Sequence, residues 1–254
     1  MNRSLRMPML DHDVLDAIAT DAFRAEKPCP WVNPVGVITD EAWQELRASL
    51  PDLKLFREHF GHARRFGQDP HDKYVLKYRS NVPVAAVWHQ LAREIRSEPY
   101  VSFAQRLCGT RHVVLNMRWV YTTTGSSVSP HCDSREKLAT HLFYMNDASD
   151  WEREWGGPTL FLESDRRMRR GSAPQFSDFE RHTASEMLGN RSLFFTRTSR
   201  SWHGVEPLRC PEGRFRKVFS VVVRANGPLT RASRRARWRA ARHVRNIRKL
   251  LRGE

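Results

Sequence analysis

The chain has 254 residues, of which 40% are hydrophobic and 28% charged, and this composition excludes a wholly disordered protein. The longest apolar runs, such as Phe219 to Val223, are too short to span a membrane, and no apolar stretch near the N-terminus predicts a secretory signal, so a cytoplasmic protein is expected. The formal net charge of +15 indicates an anionic partner, and the scattered cysteines predict reduced thiols in place of a zinc ribbon or a disulfide framework.

The first 110 residues are predicted to be mainly helix and loop, forming a support region over residues 1–110. Thr39 followed by two acidic residues is typical of a helix N-cap, and the apolar pattern that follows it stops at Pro51. Apolar residues at intervals of four predict a second helix over Val84–Ser97. Gly109 is expected at the C-terminus of a third helix.

From residue 113 the sequence changes to short β-rich runs separated by turn residues, which is the pattern of an antiparallel sandwich or barrel. Residues 111–229 are therefore predicted to form the core domain. The candidate strands are Val113–Tyr121, Ala139–Met145, Pro158–Leu162, Ser192–Thr196, Trp202–Pro207 and Arg216–Val223.

Two further segments are rich in arginine. The segment Ser164–Glu186 has poor periodicity and is predicted to be an insert. It is either a lid whose arginines favour an anionic substrate or a solvated loop. These arginines are Arg166, Arg167, Arg169 and Arg170.

Residues 230–254 predict a basic amphipathic helix, since residues 231–254 contain ten Lys and Arg against one acidic residue. This tail either packs on the body of the protein or contacts nucleic acid or another anionic surface.

One short motif suggests a metal site. His131 and Asp133 are two residues apart, and in an extended strand their side chains lie on the same face. This spacing alone is weakly specific. His203, on a later predicted strand, can supply a third ligand. Two histidines and one carboxylate leave coordination positions open, as in non-haem Fe(II) oxygenases, although zinc also accepts such ligands.

The other histidines have no spacing that predicts a metal site. His141 follows Thr140 on a predicted strand and points away from it, so a structural or surface position is expected. The remaining histidines are predicted to lie on the surface: His12, His59, His62, His71, His89, His112, His182 and His243.

Seven motifs occur in a fixed order between residues 113 and 225. They are Tyr121, His131-Cys132-Asp133, Thr140–Asn146, Gly156–Phe161, Leu193–Phe195, Trp202–Val205 and Arg214–Lys217. In order and spacing they resemble the Fe(II)- and 2-oxoglutarate-dependent dioxygenases, specifically the branch similar to prolyl hydroxylases. The resemblance implies a double-stranded β-helix of the jelly-roll type. The expected fold class is thus mainly β with a helical N-terminal part (α+β) and a basic C-terminal helix.

The resemblance also implies which residues bind the metal and the co-substrate. The family's Fe(II) ligands correspond to His131, Asp133 and His203 in this sequence. A buried basic residue after the distal histidine holds the far carboxylate of 2-oxoglutarate (2OG) in this family. Arg216 is expected in this role, with Arg214 as the alternative. The further expected contacts of 2OG are Tyr121 and Tyr144, for which core packing is the alternative.

The implied activity is hydroxylation of a C–H bond with release of succinate and CO2, with O2 as a second co-substrate and ascorbate as a reductant. The substrate class stays open between a protein or peptide side chain, an amino acid and another small molecule. Three alternatives remain at this point. They are a nucleic-acid-binding protein that uses the arginine-rich tail, a nucleic-acid repair dioxygenase, and a metal-binding module similar to the cupins.

Overall fold

A computed structural model of the protein describes residues 7–227, apart from Arg167, Arg170 and the side chain of Arg65. The helix predicted for residues 230–254, with His243, lies outside the described residues, as do two arginines of the predicted insert. Within the described part, no helix is both long enough and apolar enough to cross a membrane. All four cysteines lie in the described part, and none of them forms a disulfide, as the sequence predicts.

The α-helices of the described residues all lie in the N-terminal half of the chain. They are α1 (His12–Asp16), α2 (Thr20–Ala25), α3 (Asp40–Ala48), α4 (Ala86–Ile95) and α5 (Glu98–Cys108). The two helices predicted from periodicity are confirmed as α3 and α4, and Gly109 ends α5 in the left-handed conformation (φ 64°). Thr39 stands at the N-cap of α3, but its hydroxyl donates to the carbonyl of Pro8 (2.8 Å) and does not cap the helix.

The strands form two antiparallel sheets, of seven and four strands over the described residues. They are β1 (Trp31–Val32), β2 (Arg57–His59), β3 (Lys73–Lys77), β4 (Val113–Thr122), β5 (Val128–His131), β6 (Lys137–Tyr144), β7 (Leu160–Glu163), β8 (Arg181–Ala184), β9 (Ser192–Thr196), β10 (Trp202–Val205) and β11 (Arg216–Ala225). The large sheet has the order β1-β9-β6-β11-β4-β3-β2, and the small sheet has the order β5-β10-β7-β8. This is the predicted jelly roll.

The six predicted strands are present as β4, β6, β7, β9, β10 and β11, with bounds that differ by at most two residues at either end. The sequence patterns missed β1, β2, β3, β5 and β8. The first three belong to the support region, which therefore contributes strands to the large sheet as well as helices. β8 lies in the predicted insert and pairs with β7, although all its side chains are exposed.

The large sheet separates two cores. On β4, Met117, Trp119 and Tyr121 belong to the core beneath the helices, where the ring of Trp119 lies 5.1 Å from that of Trp88. The residues between them point to the other face of the sheet, because successive strand residues alternate. That face packs on the small sheet through a second core, which includes Phe161. Some residues of the second core, among them Phe195 and Val218, also line a cavity between the sheets.

His141 on β6 is fully buried on the helix-facing side of the large sheet, which confirms the structural position and excludes the surface alternative. Its Nδ1 is hydrogen-bonded with the hydroxyl of Tyr100 (2.9 Å), and burial lowers the pKa of the imidazole to about 3. The unfolded chain binds this proton with a pKa of about 6.5. The stability that neutral His141 contributes is therefore present above that pH and is lost as the pH falls toward 3.

Lowering the pH from 7 to 5 is expected to reduce the free energy of unfolding by about 2 kcal/mol through His141 alone. His141→Gln keeps a hydrogen-bonding group for Tyr100 but does not titrate, so its pH dependence should be shallower by that amount. Urea denaturation at both pH values measures this, with the exposed His112→Gln as the control. Equal pH dependence in wild type and His141→Gln would contradict the assignment.

Candidate active site between the sheets

The predicted metal ligands meet in the cavity between the two sheets. His131 is the last residue of β5 and is the Cα partner of His203 on β10, whereas Asp133 follows His131 by two residues. Ligand atoms of the three side chains all lie within 4.8 Å of one another, and no other cluster of this kind occurs among the described residues. The strand pairing therefore directs two imidazoles and one carboxylate to the same point.

Backbone carbonyls fix both imidazoles in one orientation. Nδ1 of His131 donates to the carbonyl of Ser129 (3.0 Å), and Nδ1 of His203 donates to the carbonyl of Ser201 (2.9 Å). A neutral imidazole whose Nδ1 carries the proton has its lone pair on Nε2, the atom that a metal ion would bind. Burial lowers the pKa of both histidines, and His203 further lowers that of His131. Both rings are therefore neutral at pH 7, as metal ligation requires.

Asp133 is buried and supplies the carboxylate of the cluster. Nζ of Lys137 donates to its Oδ1 (2.5 Å), and the hydroxyl of Thr140 lies 3.4 Å from its Oδ2. Burial alone would raise the pKa of this carboxyl, but Lys137 and the two imidazoles hold it well below its usual value. The group is thus ionised at neutral pH. Two neutral ring nitrogens and one carboxylate match the donor set of a non-haem iron site.

Arg216, the first residue of β11, lies deep in the same cavity with 6% exposure. Its Nε donates to the carbonyl of Gly157 (2.6 Å), whereas its Nη2 is buried without a hydrogen-bond partner among the described residues. Burial lowers the pKa of the guanidinium, and Tyr144 acts against this shift. An arginine keeps its charge even when buried. This unpaired donor fits the distal carboxylate of 2OG, which a guanidinium can bind with two parallel hydrogen bonds.

Tyr144 lies behind Arg216 and is fully buried in the second core. The Arg216 guanidinium lies 5.4 Å from the centre of its ring. The Tyr144 hydroxyl is hydrogen-bonded with the hydroxyls of Thr159 (3.2 Å) and Ser185 (3.0 Å). The structure therefore places Tyr144 where it supports the guanidinium, and Thr159 stands between it and the cavity surface.

The other two predicted co-substrate residues lie away from the cavity. Tyr121 is on the helix-facing side of β4, with its ring 4.4 Å from that of Phe56 and its hydroxyl buried without a partner among the described residues. The alternation of β4 explains this position, because Val120 and Thr122 are the residues that face the cavity. Arg214 precedes β11 and is exposed. The structure thus favours Arg216 over Arg214.

The cavity wall also contains residues that the sequence patterns did not predict. His62 is exposed, as predicted, and it lines the cavity together with His59 and His71, which are half-buried. His71 is hydrogen-bonded with the hydroxyl of Ser129 (3.1 Å) and with Arg64, and its ring centre lies 5.1 Å from that of His131. These histidines belong to the segment around β2 and β3, which was not recognised as part of the sheet.

Arg118 is a further cavity residue that was missed. The sequence does contain a signal for it, since an arginine in the middle of an apolar strand needs a polar environment on its own face. Arg118 occupies such a position on β4, between Met117 and Trp119 of the core. Charged residues inside buried strands are therefore candidates for a binding site.

Residues 117–222 match the family model of the 2OG-Fe(II) oxygenase superfamily. The matched range contains the three predicted metal ligands and Arg216. This range, which is less than half of the chain, is similar to the oxygenases of that superfamily. The family match identifies Fe(II) as the metal and 2OG and O2 as the co-substrates. Among curated protein sequences, none matches the chain.

Solved structures of other oxygenases share this fold at low sequence identity. A prolyl-4-hydroxylase from Pseudomonas putida has a TM-score of 0.58 at 12% identity and covers 84% of this chain and 100% of its own. A prolyl hydroxylase from Trichoplax adhaerens, in complex with a hypoxia inducible factor peptide, has a TM-score of 0.60 at 12% identity, with 84% and 90% coverage. HygX from Streptomyces hygroscopicus, with nickel, 2OG and hygromycin B bound, has a TM-score of 0.53 at 12% identity, with 77% and 82% coverage. The structural matches show the fold, and the family match favours an oxygenase over the cupin-like and nucleic-acid-binding alternatives.

Proposed function

We propose that His131, Asp133 and His203 bind the Fe(II) of this oxygenase and that Arg216 binds the distal carboxylate of 2OG. The observation that carries this proposal is the buried Arg216 guanidinium, whose Nη2 has no partner among the described residues, in the same cavity as the His-Asp-His cluster. A buried charge without a counterion is costly unless a ligand supplies one. A dicarboxylate that reaches from the metal ligands to Arg216 supplies this counterion with its distal carboxylate.

When bound, iron and 2OG supply the oxidising chemistry, in which O2 is consumed and succinate and CO2 are released. The protein residues prepare the site for these groups. The carbonyls of Ser129 and Ser201 keep both Nε2 lone pairs directed at the metal position. Leu142, Phe195 and Val218 line the cavity between the ligand cluster and Arg216, and such apolar walls exclude water from the bound co-substrate.

The substrate is proposed to be a small molecule or a single side chain, and the reaction to be hydroxylation of a C–H bond. The cavity has a volume of about 830 Å³, which is within the range of sites that hold drug-sized ligands. This volume accommodates 2OG together with a compact substrate. The names of the similar structures support both substrate types, because they include prolyl hydroxylases and a protein crystallised with hygromycin B.

The test is a reaction of purified protein with Fe(II), 2OG, ascorbate and ¹⁸O2, run with small-molecule and proline-containing peptide libraries. We expect succinate formation that one class of compound stimulates, and a product that has gained one oxygen atom from O2. A product that has lost two hydrogens without gaining oxygen would replace hydroxylation by cyclisation or desaturation. Absence of succinate under all conditions would contradict the proposed function.

The Arg216 side chain lies against the backbone of Gly157, because glycine has no side chain at that position. The backbone of Gly157 has φ +105°, and an added Cβ would lie 2.8 Å from Sδ of Met187 and 3.0 Å from Cδ of Arg216. Gly157→Ala is therefore expected to displace the guanidinium and to raise the KM for 2OG. Gly213→Ala is the matched control, since Gly213 also has a positive φ (75°) but no atom lies within 4 Å of the added methyl group. Equal KM values in the two variants would contradict the prediction.

A further inference from the structure

The cavity is strongly basic apart from its metal ligands. Of the described residues that line it, six are cationic and two are carboxylates. The carboxylates are Asp72, which accepts from the backbone N–H of Gly61 (2.8 Å), and Asp133, which is assigned to the metal. The cationic residues are Arg64, Lys73, Arg118, Arg135, Lys137 and Arg216. Fe(II) and the 2OG dianion have opposite charges of equal size, so loading both leaves this excess of positive charge in place.

Arg118 is the cation that lies far along the sheet from the 2OG carboxylate position. In the ladder between β11 and β4, Arg216 pairs with Thr122, whereas Arg118 pairs with Ser220. The two arginines are therefore separated by four residues along the sheet, or about 13 Å between Cα atoms. They point to the same cavity from the same face of the sheet. With Arg216 assigned to 2OG, Arg118 is available for a second anion.

The Arg118 side chain has an incomplete set of partners. Its Nε is buried without a hydrogen-bond partner among the described residues. Lys73 on the adjacent β3 lines the same wall. Burial, followed by the charges of Arg118 and Arg64, lowers the pKa of Lys73 to about 8, which reflects how closely these cations are grouped. Asp133 offsets this repulsion at Arg118 and Asp72 offsets it at Lys73, but Asp133 is assigned to the metal. A further anion in this wall would therefore be stabilising.

We propose that Arg118 and Lys73 bind an oxyanion of the substrate, either a carboxylate or a phosphate, so that this oxygenase acts on small anionic molecules. This inference rests on the proposed function, because it assigns Arg216 to 2OG and leaves Arg118 for the substrate. It defines the substrate class from residues that neither the metal nor 2OG uses.

The test measures anion binding to the protein loaded with Mn(II) and saturating 2OG in the absence of O2. Inorganic phosphate and acetate are the probes, and calorimetric titration gives their Kd values. We expect wild type to bind at least one of them, and Arg118→Gln and Lys73→Gln to bind it at least about 10-fold more weakly. Arg93→Gln, on the exposed face of α4, removes the same charge away from the cavity and should bind like wild type. The more tightly bound probe distinguishes phosphate from carboxylate.

Two further measurements separate this inference from the proposed function. Titration of 2OG should give the same Kd within about twofold for wild type and Arg118→Gln. Arg216→Gln should bind 2OG much more weakly than wild type, but its Kd for the probe anion should be unchanged. The ligand-free melting temperature of Arg118→Gln should stay close to that of wild type, because the substitution removes both the repulsion between Arg118 and Lys73 and the attraction between Arg118 and Asp133.

Specific results would overturn the inference. Equal probe binding by wild type and Arg118→Gln, or no probe binding by loaded wild type, would overturn it while leaving the proposed function intact. A large loss of 2OG affinity in Arg118→Gln would also overturn it, since Arg118 would then belong to the 2OG site. Failure of wild type to bind 2OG at all would reject the proposed function first, and the inference with it.

Discussion

Replacing His203 with alanine is expected to abolish iron retention and to lower 2OG-dependent succinate formation by more than about 100-fold. Loss of a residue that merely orients a metal ligand costs about 10- to 100-fold in metal affinity or activity, so loss of a ligand itself should cost more. His203 is buried, lies within 4.8 Å of the other two ligand groups and is fixed by the carbonyl of Ser201. The measurement is iron content after gel filtration, together with the rate of succinate formation.

His182→Ala is the matched control for this experiment. His182 lies on the exposed strand β8, in the same small sheet as His203 but with its side chain in solvent. Iron content and rate should both equal those of wild type in this variant. Full activity in His203→Ala would show that the metal is bound elsewhere.

Replacing Arg216 with glutamine is expected to weaken 2OG binding by about 30-fold or more. Truncating one partner of a buried, hydrogen-bonded charge pair costs about 2 to 5 kcal/mol, and each 1.4 kcal/mol is about a factor of ten in Kd. Glutamine can still donate to the carbonyl of Gly157, but it lacks the charge that the distal carboxylate needs. The measurement is the Kd of 2OG by calorimetry with Mn(II) in place of Fe(II), and in parallel the KM for 2OG.

Arg214→Gln is the control for the Arg216 prediction. Arg214 is exposed and lies two residues before Arg216, outside the cavity lining. Its substitution removes one positive charge close to the start of β11 without touching the site. The Kd for 2OG should therefore stay within about twofold of wild type. A larger effect of Arg214→Gln than of Arg216→Gln would reverse the assignment of the two arginines.

The sequence predicted the centre of the site because its chemistry depends on local spacing and on strand pairing. His131 and Asp133 are two residues apart, so an extended backbone directs both side chains to one face. His203 was predicted from the position of its motif in the chain, and pairing of β10 with β5 places it beside His131. A period of two along the last strand predicts that Arg214, Arg216, Val218 and Ser220 share a face. The last three line the cavity, whereas Arg214 precedes β11 and is exposed.

Other residues depend on tertiary contacts that periodicity does not contain. The faces of β4 are decided by where the helices pack, and this packing turns Tyr121 toward Phe56 and leaves Arg118 in the cavity. Strands β2 and β3 carry many charged residues, so they lack the apolar alternation that predicts a strand. The basic wall of the cavity, including Lys73, was missed for this reason.

The most direct test of this account is the metal dependence of 2OG binding to the wild-type protein. Calorimetric titration of 2OG without O2, with and without Mn(II), measures whether one ligand spans the His-Asp-His cluster and Arg216. We predict one 2OG per chain, bound at least about 10-fold more tightly when Mn(II) is present, with the gain lost in His131→Ala. Binding of 2OG that is equally tight with and without the metal, or unchanged in His131→Ala, would contradict the account.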